Sequence, residues 1–376
     1  MPAQTGESSK GEHVTVLVVG SRLGSVERGV RVAIERAGEI AAFAADKEQV
    51  VAAVERDIPR CVIVDARAGI CEVHEILRGR ADCFGVPVIA LTDETSEPAW
   101  LELHRLGADD VVALHDVHGL TRRLAALATF DPSARTPPQQ GLCLIAHHEP
   151  YRRALLGRAL RQGGFEVAFA SNTGEAQQLA SRMTPKVVVA SSRLPPGGGA
   201  AALRSLGDPW LGTLPAVLLT EGDHADPEAP PRLTSLREDA PPDDLLFVVN
   251  ELLRPRALLD SRASARLLYA ARCGFRAEGT FESSYGLTYN ISREGLYVRT
   301  FDSPPNKSRV WVELRPPSHS GVCHLRGEVV WTRTLATGAR GAAPAGFGVR
   351  LDLERCSAED RKAYLSAYDH GLSLVR

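Results

Sequence analysis

The chain has 376 residues, 44% of them apolar and 24% charged, with a formal net charge of −2. This is more than one ordinary domain and fits two or three, each with enough apolar residues for a packed core, while the near-neutral charge excludes a global attraction to nucleic acid polymers or anionic membranes. The seven scattered cysteines lack Cys-x-x-Cys or zinc-type spacing and are expected to be buried thiols in a reducing cytoplasm.

Residues 1–12 are polar, without the apolar stretch of a secretory signal, and predict a flexible tail. No apolar run approaches the roughly 20 residues of a membrane helix, so the expected location is the cytoplasm. A first α/β unit is predicted over 13–129. The apolar run 14–19, ending in Gly20-Ser21, has the character of a buried parallel strand. Val26, Val30, Ala33 and Ala37 then recur at helical spacing before a stop at Gly38. A helix at 46–54, strands at 61–65 and 86–91, a helix at 98–106, a strand at 110–113 and a closing helix through Leu120, Leu124 and Leu127 follow, and this alternation predicts a doubly wound, flavodoxin-like sheet of five strands, four of them placed by these runs.

The strand ends at Asp65 and Leu91-Thr92, with Gly107-Ala108-Asp109-Asp110, resemble a response-regulator receiver domain. That resemblance implies an acidic pair after the first strand for Mg²⁺, a phosphoacceptor aspartate after the third and a lysine after the fifth. Here Gly20-Ser21 replaces the acidic pair and the lysine place falls near Leu114. Asp65 therefore lacks the oxygen ligands and counter-charge that a phosphoryl group needs. The expected role of Asp65 is a retained polar residue at a strand end, with the phosphoacceptor role kept as an alternative.

A Pro-rich linker at 130–139 leads into a second α/β unit at 140–254. It has strands at 142–146 and 186–191, a helix through Tyr151, Leu155, Leu156 and Leu160, and a closing helix at 243–253. Gly20 and His147, Asp65 and Ser191, and Thr92 and Thr220 match at a nearly constant offset, which argues for a tandem repeat. Ser191 stands at the phosphoacceptor place, so this second receiver-like unit is expected to be chemically inert. His147-His148-Glu149 is expected to be a solvated loop rather than a metal site, because adjacent histidines point apart and no third ligand is near. Prolines within 221–231 predict that the fourth helix is absent or very short. Receivers commonly signal through their fourth and fifth elements, so ordinary receiver output is not expected from this unit.

The last region, 256–376, alternates in the manner of a small antiparallel barrel, with six strands at 267–275, 285–291, 296–300, 309–314, 323–333 and 346–353 and a terminal helix from 357. Ahead of it lie Arg262 and Arg266 in an Arg-x-x-x-Arg spacing, and the second strand ends in Asn290-Ile291-Ser292-Arg293-Glu294-Gly295. Arginine can fork to phosphate or to guanine O6 and N7 and can stack on a base plane. Asn290 and Ser292 alternate along an extended stretch, which puts an amide and a hydroxyl on one face. Gly295 permits a positive φ and a close backbone approach. Arg272 and Arg276 repeat the arginine spacing but lie too near Asn290 to leave room for a full strand and its return.

These two motifs, together with Gly327-Glu328-Val329-Val330-Trp331 and Gly346-Phe347-Gly348-Val349, resemble the PilZ family. The resemblance implies binding of cyclic di-GMP, as one molecule or a stacked pair, through Arg262, Arg266, Asn290, Ser292 and Gly295. Asn290 stands where an aspartate is often found; it keeps an acceptor oxygen and loses the charge, which implies lower affinity. The expectation is a non-enzymatic effector in which ligand held by both the lead-in segment and the barrel resets the angle to the receiver pair. That pair would dock an unidentified protein partner, with output in motility, polarity, exopolysaccharide or biofilm. The alternatives are a phosphorylation-dependent regulator acting through Asp65 and a scaffold that has lost its ligand. No cofactor, metal site or nucleophile/base pair is expected.

Overall fold

In the first unit, runs of β-branched and small apolar residues form strands buried on both faces, as a parallel sheet covered by helices on each side requires. The computed structural model describes residues 15–20, 24–133, 139–206, 214–222, 233–254, 264–316, 321–335 and 343–375. Strands β1 (Val16–Val19), β2 (Ala41–Ala44), β3 (Cys61–Asp65), β4 (Val88–Thr92) and β5 (Asp110–Ala113) lie in the order β2-β1-β3-β4-β5. Helices α1 (Gly24–Arg36) and α5 (Val117–Ala126) pack Val30, Ile34, Leu120 and Leu124 on one face. Across the sheet, α2 (Lys47–Arg56), α3 (Ile70–Arg78) and α4 (Glu97–Arg105) pack Val50, Val73, Leu77 and Trp100. Asp46 caps α2 by accepting from Gln49 N at 2.8 Å. Two elements carried no sequence signal strong enough to place them: the alanine-rich edge strand β2 and the short helix α3.

The second unit repeats this winding. Its strands β6 (Gly141–Ala146), β7 (Phe165–Ala170), β8 (Val187–Ser191), β9 (Ala216–Thr220) and β10 (Leu233–Arg237) lie in the order β10-β9-β8-β6-β7. Helices α6 (Pro150–Gln162), α7 (Thr173–Met183), α8 (Gly198–Ser205) and α9 (Pro242–Leu253) cover it. The stretch 223–232, where the fourth helix is expected to be absent or very short, lies outside the described residues.

Six antiparallel strands then close a barrel in the order β13 (Ser284–Ser292), β12 (Arg272–Ala277), β15 (Arg309–Leu314), β16 (Cys323–Arg333), β17 (Gly346–Leu351) and β14 (Gly295–Arg299), with β14 returning to β13. The strand expected at 267–275 is two. A two-residue strand β11 (Leu267–Leu268) pairs with the far end of β13, and the chain breaks before β12. The Thr288 hydroxyl bridges the break, donating to Tyr269 O at 2.6 Å and accepting from Ala271 N at 2.8 Å. Alternation fills the interior: in β15, Val310, Val312 and Leu314 point in while Arg309, Trp311 and Glu313 point out. Tyr364 and Tyr368 of the terminal helix α10 (Ala358–Val375) join that core with Phe275, Ile291 and Phe347.

The barrel rests on α4, β5 and α5 of the first unit. Arg272 of β12 has its guanidinium 5.0 Å from the Trp100 ring centroid, and Arg122 of α5 pairs with Asp302 at 3.0 Å.

Candidate ligand site

The candidate residues gather where β11, β13 and β14 meet. Leu267 is paired with Ile291 and Leu268 with Asn290. Continuing that antiparallel register by one residue sets Arg266, which is exposed, opposite Ser292. Directly opposed residues share a face, so the arginine, the Asn290 amide and the Ser292 hydroxyl stand on one side of the sheet. Ile291 between them is fully buried in the barrel core. Arg262 lies outside the described residues.

Gly295 opens β14 opposite Ser292. It is not among the positive-φ glycines, which corrects the first of the two reasons expected for it. The second holds, because a β-carbon there would stand 2.4 Å from Val349 O of β17. The Ser292 hydroxyl donates to Gly295 O at 3.2 Å. On the same outer surface, the Trp331 ring stacks on Tyr297, the strand partner of Asn290, with ring centroids 4.8 Å apart. A β-carbon on Gly348 would stand 2.5 Å from the Trp331 ring nitrogen, so that glycine leaves room for the indole.

Two supporting residues escaped the sequence reading. Tyr364 donates from its hydroxyl to Ser292 O and Gly295 O, both at 2.8 Å, and Tyr368, one helical turn on, donates to Ala265 O at 3.1 Å. The terminal helix therefore holds the 292–295 turn with one tyrosine and the residue beside Arg266 with the next. Burial pushes the Tyr364 hydroxyl up, so it stays a neutral donor. Two tyrosines at i and i+4 were a visible signal for a buried stripe, but nothing local told which carbonyls they would meet.

Residues 260–367 match the family model of the PilZ domain. The barrel is a PilZ domain. Among curated proteins none matches the chain. Solved structures similar to parts of it include a probable two-component system response regulator/GGDEF domain protein, 20% identical with a TM-score of 0.29 over 65% of this chain and 99% of that one. Another is the Bacillus subtilis inhibitor of motility (MotI/DgrA), 17% identical with a TM-score of 0.25 over 31% of this chain and 53% of that one. A third is the PilZ domain with c-di-GMP of YcgR from Escherichia coli, 14% identical with a TM-score of 0.22 over 31% and 92%.

Ahead of the PilZ domain, the two receiver-like centres are filled by the protein's own side chains. Asp65 is buried, and Arg67 reaches both its oxygens: Nε donates to Oδ1 at 3.0 Å and Nη2 to Oδ2 at 2.8 Å, while the Arg67 backbone N–H also donates to Oδ1. Burial by itself would raise this carboxyl, but the Arg67 hydrogen bonds outweigh it and hold Asp65 below the usual carboxylate range. In the second unit the expected solvated loop is not what forms. His147 is fully buried, its Nε2 bonded to Glu238 and its Nδ1 accepting from Glu149 N at 3.0 Å. Its ring stacks on His148 at 4.9 Å instead of pointing away. Ser191 donates to the same Glu238 at 3.3 Å. Among the described residues no group of three His, Cys, Asp or Glu side chains is placed to hold a metal.

Proposed function

We propose that the protein is a non-enzymatic, cytoplasmic effector that binds cyclic di-GMP through Arg266, Asn290 and Ser292, with Arg262 completing the arginine pair and Gly295 keeping the turn tight. The observation that carries this reading is the β11–β13 register, which sets Arg266 opposite Ser292 on one face beside a half-exposed tryptophan. An arginine fork, an amide and a hydroxyl converging there suit a phosphate and a purine edge.

The same hairpin supports a mechanism. Its turn is at the candidate site and its other end meets the first unit, where Ser284 Oγ accepts from Arg122 and Tyr285 O accepts from Arg123, while Tyr289, next to Asn290, donates to Asp243 O of the second unit at 2.7 Å. Ligand closing on the turn would shift the barrel against the receiver-like pair and change the surface shown to a protein partner. The face formed by α4, β5 and α5 of the first unit is already covered by the barrel, so that partner meets another face of the pair. Output in motility, polarity, exopolysaccharide or biofilm belongs to this proposal.

The test is isothermal titration of the full chain with cyclic di-GMP beside Arg266→Ala and Ser292→Ala. Removing a charge-assisted bond of about 1.5 to 3 kcal/mol is expected to weaken binding by roughly tenfold to a hundredfold. Folded wild-type protein that gives no binding heat sinks the reading.

A further inference from the structure

Consecutive residues at the start of β5 fasten the first unit to both of its neighbours. Asp109 takes a two-pronged ion pair from Arg158 on α6 of the second unit, at 2.6 and 2.9 Å. Asp110, fully buried, is held by Arg123 Nε at 2.8 Å, and its Oδ2 accepts from Phe301 N of the barrel at 2.6 Å and from the Thr300 hydroxyl at 3.1 Å. Immediately before Thr300, Arg299 donates from Nη2 to Ala108 O at 2.9 Å and lies 2.8 Å from Asp243 Oδ2 at the head of α9. One barrel side chain, 4% exposed, is thus bonded to the first unit and the second at once.

Arg299 shares β14 with the candidate site. Gly295, Tyr297 and Arg299 alternate onto one face, and four strand residues separate the ligand turn from this junction by about 13 Å. Buried ion pairs of this kind fix an arrangement more than they add net stability, and removing one partner leaves the other charge uncompensated.

We propose that Arg299 is the pivot of a three-way clamp, formed with Ala108–Asp110 and Asp243, that makes the three domains one cooperative body and carries the state of the 290–295 turn to both N-terminal units. The clamp itself is independent of the ligand's identity; the relay rests on the cyclic di-GMP reading.

Calorimetric unfolding of the full chain tests the clamp. The double variant Arg299→Met/Asp243→Leu removes both charges together, so neither is stranded, and Arg299→Lys keeps the charge toward Asp243. Wild type and Arg299→Lys are expected to unfold in one transition and the double variant in two or more. Separate transitions in wild type, or a single one in the double variant, overturn the clamp. Amide exchange with and without cyclic di-GMP tests the relay: ligand is expected to slow exchange across residues 106–125 several-fold in wild type and to leave it unchanged in the double variant, which still binds. Ligand that binds wild type without altering that segment overturns the relay. Absence of binding to wild type overturns the ligand reading and the relay together, while the calorimetric result still decides the clamp.

Discussion

Gly295 is a glycine because β17 passes against it: a methyl group there would meet Val349 O at 2.4 Å, well inside van der Waals contact. Neither backbone can withdraw without disturbing the β14–β17 ladder, so Gly295→Ala is expected to cost about 1 to 3 kcal/mol, seen as a fall in the thermal midpoint of several degrees. An unchanged midpoint would mean that the barrel yields there and that the residue serves the ligand alone. Asn290 and Ser292 were legible as a pair because strand alternation is local. The supporting hydroxyls of Tyr364 and Tyr368 were not, since their acceptors lie about seventy and a hundred residues away in the chain.

At the level of elements, the end of β6 is filled by the protein's own side chains. His147 stands just after β6, Ser191 ends β8 and Glu238 follows β10, and Glu238 bonds both of the others. Burial by itself would raise the Glu238 carboxyl, but hydrogen bonding to His147 and its charge outweigh this, so the net shift is down. A depressed carboxylate stabilises the fold above its unfolded value, near 4.5, and that contribution is lost as pH falls through the folded value. His147→Ala is expected to lower stability by about 1 to 3 kcal/mol at neutral pH, because the buried carboxylate loses its partner. It is also expected to shift acid unfolding of the chain to higher pH. Acid titration followed by circular dichroism checks this; coincident curves for variant and wild type would leave the pair without an energetic role.

Across the whole molecule, charges meet where the domains meet. Asp244, partly buried beside the clamp residue Asp243, is pushed up to about 7, chiefly by the desolvation of its carboxyl, with nearby Arg299 and Arg105 opposing the rise and Asp243 adding to it. A carboxyl raised in the folded state stabilises fully below its unfolded value of 3.8, and that contribution is lost as pH rises through about 7. The thermal midpoint is therefore expected to fall between pH 5 and 8 by an amount that Asp244→Asn removes. Equal slopes in the two proteins would show that the carboxyl is solvated at the junction.

Periodicity and turn residues were enough to anticipate two repeats of a doubly wound sheet and a closed barrel of six strands. The signals read were local: alternation along one strand, period along one helix, or the residues of one short loop. Tertiary structure alone decided that His147 is buried on Glu238, that Asp65 is claimed by Arg67, that the barrel covers α4, β5 and α5, and that Arg299 ties three domains together. A buried charge is tolerable only where folding delivers its partner. For Arg299 those partners are Ala108 and Asp243, in two other domains, and no pattern along the chain places them beside it.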